Sequence, residues 1–133
     1  MTIGGFLGGV FTFAVGGVDD AMIWLISLVI IDYITGNAAS FKTGEWCSNK
    51  GFYGLFKKLF IFLVVAICNG IDKTTGQEIL RNMAVFAYAV NEAGSILENV
   101  ERLGFGKWIP SFLKAGLKNL KEKSLLEEKN KKD

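Results

Sequence analysis

Residues 21–41 read AMIWLISLVIIDYITGNAASF, and Asp32 is the single charge between Ala21 and Phe41. As a helix rising 1.5 Å per residue, such a run reaches about 30 Å, the thickness of a bilayer's hydrocarbon core. Trp24 and Tyr33 are aromatic side chains of the kind that anchor spans near a membrane interface. Working outward, the polar stretch KTGEWCSNK (42–50) separates this run from a second apolar block, Gly51–Ile71. That block is densest in LFIFLVVAICNGI (59–71), and Lys57 and Lys58 at its near end are expected to snorkel to the interface. Asp72–Gln77 is a short polar turn.

Glu78 to Leu103 reads as one long helix with Gly104 at its C-terminal cap. Ile79, Met83, Phe86, Val90, Ala93, Leu97 and Val100 recur at three- and four-residue spacing and form an apolar stripe. The opposite stripe carries Arg81, Tyr88, Glu92, Ser95, Asn99 and Arg102. Upstream, residues 1–18 (MTIGGFLGGVFTFAVGGV) hold no charged side chain and are short of spanning length. Downstream, GFGKWIPSFL (104–113) gathers Phe105, Trp108 and Phe112 beside Lys107, as a segment seated at a membrane surface would.

Composition supports the same reading. Of 133 residues, 50% are apolar, and 28 are charged; 11 of these fall in the last twenty positions, leaving 17 in the first 113. The expected fold is therefore all-α: a multi-pass helical membrane domain over 1–113, followed by a basic cytoplasmic tail over 114–133. Three firm transmembrane helices (21–41, 51–71 and 78–103) follow a Gly-rich hydrophobic leader (1–18). Charge placement orients them. Lys42, Lys50, Lys57 and Lys58 flank the first linker, Lys73 alone marks the second, and the tail holds seven Lys, among them Lys114, Lys118 and Lys121. These lysines are the topology determinants, and positive charge collects on the cytoplasmic side. The first linker and the C-terminus are thus expected inside; whether 3–18 also cross is left open by the charge rule.

Several chemistries are excluded by residue type. The chain has no His, so a Ser/His or Cys/His nucleophile pair and a His-ligated metal are both ruled out. Cys47 and Cys68 lack CxxC spacing and fall on opposite membrane sides in this topology, so they are expected as free thiols. No phosphate-cradling glycine motif occurs. No catalytic, cofactor-binding or metal-binding residue is assigned, and no nucleic-acid partner is expected.

Two constellations are left as candidates. Gly4, Gly8, Thr12 and Gly16 fall at four-residue intervals, a spacing that lets helices approach closely and associate in lipid; the alternative is a flexible leader. Asp32, Glu92, Ser95, Asn99 and Arg102 would line a polar seam or aqueous lesion between subunits. The alternatives are that Asp32 caps a short span and that the last helix leaves the membrane near Val90.

At these residues a resemblance emerges. DYITG (32–36), KGFYGLFKK (50–58) and NEAGSILENVERLG (91–104), followed by Pro110 in WIPSFL and a Lys-rich tail, resemble the phage-lysis and toxin-secretion holin family of Gram-positive bacteria and their phages. The resemblance covers roughly 20–125, and its most specific part is the NE-x-x-SILEN block. It implies a small non-enzymatic protein that oligomerises in the bacterial cytoplasmic membrane and opens timed lesions. These would release an endolysin or a large toxin, a functional partner that need not bind stably. The rival expectations are an antiholin that restrains a lesion former and a small ion channel.

Overall fold

Asp19 starts the first long helix, because its carboxylate accepts the Met22 amide at 3.0 Å and fills one of the orphan donors of a helix N-terminus. Gly44 ends it: at φ 74° the backbone turns left-handed, and the Gly44 and Glu45 amides bond back to the Phe41 and Ser40 carbonyls. Gly76, at φ 71°, closes the next helix in a similar left-handed turn. The computed structural model describes residues 2–132. In order it contains α1 (Ile3–Ala14), α2 (Asp20–Thr43), α3 (Ser48–Thr75), α4 (Ile79–Arg102), a 3-10 turn (Gly106–Trp108) and α5 (Ser111–Asn130). No strand occurs among the described residues, and the all-α expectation holds.

The short reversals at Gly44–Cys47 and Gly76–Glu78 fold α2, α3 and α4 into an up-down-up bundle. α4 packs chiefly along α2 and secondarily on α3, whereas α2 and α3 touch sparsely. Val15, Met22, Leu25, Val29, Ile61, Val65 and Val85 form the buried apolar cluster, in the half of the bundle nearest α1. Much more apolar surface faces outward. Trp24, Ile30 and Ile34 on α2, Phe56, Phe60, Leu63 and Ile67 on α3, and Met83 and Phe86 on α4 are all exposed. A water-soluble chain rarely shows so broad an apolar girdle, and lipid is the solvent that makes it favourable.

One expectation is met only in part, and another needs correction. Two helices, α2 and α3, are long and apolar enough to cross a membrane; α4 is 24 residues long but does not meet that test, so three firm spans are not established. The reason is the load of polar side chains on one face of α4. Gly16 does not share a helical face with Gly4, Gly8 and Thr12, because α1 ends at Ala14 and Gly16 and Gly17 take φ values of 84° and 101°. A Cβ at Gly16 would run into the Asn69 side chain. The basic tail after Pro110 forms a continuous 20-residue helix, α5, with no buried residue. α1, at 12 residues or about 18 Å, is shorter than a bilayer core.

Candidate functional site

Polar residues on α4 would be costly in lipid, so their partners decide what the helix can do. The polar stripe of α4 faces inward. Glu92 is 2% exposed, and Arg81, Asn99 and, on α2, Asp32 are also buried. Lys58 on α3 turns into the bundle between two carboxylates, donating to Asp32 of α2 and, at 2.5 Å, to Glu92 of α4. Asn99 completes the group: its amide donates to Asp32 Oδ1 at 2.8 Å, to the Asp32 carbonyl at 3.3 Å and to Thr35 Oγ1 at 3.1 Å. Gly36 lies beside this amide, and a Cβ there would meet Asn99 at an ordinary contact distance of 3.4 Å. Asp32 lies about 18 Å along α2 from Asp20, so the cluster sits near mid-height.

A second network ties the α1 end together. Arg81 donates from Nε to the Val15 carbonyl at 2.6 Å, from Nη2 to the Gly17 carbonyl at 3.0 Å, and from Nη1 to Asp19 at 2.8 Å. This fork fits the planar guanidinium, which offers several donors in fixed directions. Hydrogen bonding from Arg81, against a smaller desolvation effect, holds the Asp19 carboxyl below the ordinary aspartate value. Asp72 of α3 caps α4 by accepting the Leu80 and Arg81 amides at 3.1 and 2.8 Å, and Asn69 donates to the Ala14 carbonyl at 2.9 Å. The sequence pattern had placed Arg81 on the polar stripe but had not marked Asp19, Asn69 or Asp72 as its companions. Their signal was a carboxylate or amide at each helix end facing the same reversal.

Of the expected seam, Asp32, Glu92 and Asn99 are brought together by direct or Lys58-bridged hydrogen bonds, and Ser95 lines the same cleft. Arg102 stands at its end and pairs only loosely with Glu45, at 3.6 Å between exposed side chains. The cleft, about 650 Å³, opens between α2, α3 and α4; Lys50, Lys57, Tyr53, Asn91 and Glu98 also line it. Lys57 leans over the Tyr53 ring at 5.5 Å, whereas Lys58, expected to snorkel outward, is committed inside. Lys42 reaches the Leu103 carbonyl, and Lys114 pairs with Glu101 at 2.5 Å, tying α5 to α4. Lys118 and Lys121 are exposed on α5. Gly4 and Gly8 face open space on α1, and the Thr12 hydroxyl donates to the Gly8 carbonyl at 2.8 Å. Both thiols are free, and among the described residues no cluster of potential ligands could hold a metal ion.

Comparison with known proteins adds the lineage. The profile of the bacteriophage holin family matches residues 9–122. An uncharacterized protein of Clostridium perfringens is 36% identical over 121 residues, covering 90% of this chain and 88% of the relative. Another, from Listeria innocua, is 40% identical over 108 residues, covering 80% of this chain and 76% of its own. A protein of Bacillus phage phi105 named "Probable holin" is 36% identical over 81 residues, 60% of either chain. No solved structure matches. With an apolar girdle around α2 and α3 and a family match over most of its length, the chain is a membrane protein that belongs to the bacteriophage holin family.

Proposed function

We propose that the chain acts as a lesion-forming holin. Copies accumulate in the bacterial cytoplasmic membrane, associate, and at a set time open a path for an endolysin or a large toxin; no enzymatic step is involved. The observation that carries this reading is the pairing of an apolar outer girdle with a polar stripe shared by α2 and α4 in a chain of this family. Neither part alone requires it, but a protein that opens an aqueous path through lipid needs both.

In this reading α4 is the third span. What lipid meets is the outward surface, and between Ile79 and Leu97 the exposed residues are mostly apolar, Ile79, Leu80, Met83, Phe86 and Ala87, with Asn82 and Asn91 exposed at the mouths of clefts. The lysines at 42, 50 and 57 and those of α5 then lie in the cytoplasm with the C-terminus, in keeping with the positive-inside rule. Gly4, Gly8 and Thr12 provide a face of α1 on which copies can pack.

Induced expression tests the function directly. Membrane potential, followed with a potential-sensitive dye, should collapse abruptly together with growth arrest, and co-expressed endolysin should then clear the culture. Abundant membrane-inserted protein with sustained potential would defeat the reading, and a delay of lysis by a second holin would assign the chain to the antiholins.

A further inference from the structure

The folded chain keeps its polar stripe covered. Asp32, Glu92 and Asn99 are buried, and the exposed surface of α2, α3 and α4 is mostly apolar with isolated polar residues such as Asn82 and Asn91, so this arrangement offers an aqueous lumen no continuous lining. Of the three bundle helices, α3, which covers the stripe, packs less extensively than α2 and α4. α3 packs on α4 less extensively than α2 does and barely touches α2. The cleft of about 650 Å³ lies along that weak seam. The polar ties of α3 sit mostly at its ends. The Gly51 carbonyl accepts the Tyr33 hydroxyl at 3.3 Å at one end, and Asp72 and Asn69 bond α4 and the Ala14 carbonyl at the other. Between them, among the described residues, Lys58 alone links the α3 side chains by hydrogen bonds to both α2 and α4.

We propose that Lys58 is the clasp of a movable α3: its ammonium, shared by Asp32 and Glu92, holds α3 over the polar stripe, and release of that clasp uncovers the stripe to water. Resting on the lesion-forming reading, this assigns regulation of that same surface to one side chain. The physical asymmetry favours it. α2 and α4 stay joined by Asn99 and by the most extensive helix packing in the bundle, so departure of α3, which withdraws Ile61 and Val65 from the apolar cluster, leaves their shared polar face intact. Lys58 is a positioning residue here, since it acts through the carboxylates that it covers.

The test compares Lys58→Met, which keeps the length and apolar stem but removes the charge, with Lys58→Arg, which keeps the charge, at equal membrane abundance measured by immunoblot. Lys58→Met should bring depolarisation forward in time, and Lys58→Arg should return it toward the wild-type onset. Unchanged or later onset in Lys58→Met would overturn the clasp. Should Lys58→Met fail to accumulate, the double variant Asp32→Asn/Glu92→Gln loosens the same clasp without stranding a carboxylate, and earlier onset is again expected.

A second measurement does not depend on lysis. In purified full-length protein in vesicles, with Cys47→Ser and Cys68→Ser removing the native thiols, Ser95→Cys should react several-fold faster with a water-soluble maleimide when Lys58 is Met. Equal rates would overturn the clasp even in a chain that lyses cells. Faster labelling in a chain that never depolarises a membrane would leave α3 movable and retire the lesion-forming reading instead.

Discussion

At the residue scale, Arg81 does more than any other side chain to join α1, α2 and α4. It is nearly buried, and replacing it with Met strands the Val15 and Gly17 carbonyls without donors. Each stranded group costs about 1–3 kcal/mol, so Arg81→Met should lower the unfolding temperature in detergent micelles and free α1 to proteolysis. Its partner Asp19 supplies a pH signature. Because Arg81 depresses the folded-state pKa of Asp19, its contribution is complete above the unfolded value of about 3.9 and is lost as pH falls through the lower folded value. The stability gap between wild type and Asp19→Asn should therefore hold from pH 7 down to about 5, begin to narrow near about 4 and close only below the depressed folded-state value. Lys58 shows why such partners escape a linear reading. It bonds residues 26 and 34 positions away, and its place among lysines near the first linker made an interfacial role the natural expectation. A signal was nonetheless present: Asp32 lies 12 residues before Gly44 and Lys58 lies 11 after Cys47, so a hairpin between them sets both at one height.

At the scale of elements, the order and number of the long helices were legible, and Gly104 marked one end, but α3 runs Ser48–Thr75, so Asp72–Thr75, expected as part of a polar turn, are helical. Asp19, Gly44, Gly76 and Gly104 mark ends where the chain needs a cap or a left-handed residue, and three of the four are glycines with positive φ. Periodicity likewise separated the two faces of α4 correctly. What it could not say was which face turns inward: the polar face is covered by α2 and α3, and the apolar face is left outward, the reverse of a soluble helix. Gly16 was misplaced for a related reason: spacing alone cannot register that two consecutive glycines have ended the helix. The cap of α4 offers a direct check. Asp72→Ala removes the acceptors of the Leu80 and Arg81 amides at the start of α4, so a loss of about 1–2 kcal/mol is expected in micelle unfolding.

For the whole molecule, the decisive question is which ends share a compartment. With native thiols replaced, single cysteines at Thr75 and Leu120 should separate cleanly: Thr75→Cys reacts with an impermeant maleimide added to intact cells, and Leu120→Cys reacts only after the membrane is opened. Labelling of Leu120→Cys in intact, polarised cells would reverse the orientation drawn from the lysines. The capping of α4 by Asp72 also bears on how the bundle is built. The bonded residues lie only eight and nine positions apart, so the α3–α4 reversal can be fastened as soon as those residues leave the ribosome and before α2 is engaged. In the proposed topology, a pre-joined hairpin would let the Arg81 amide cross the membrane already satisfied. Assembly then reduces to docking one finished unit against α2, where Asn99 and Arg81 find their partners last.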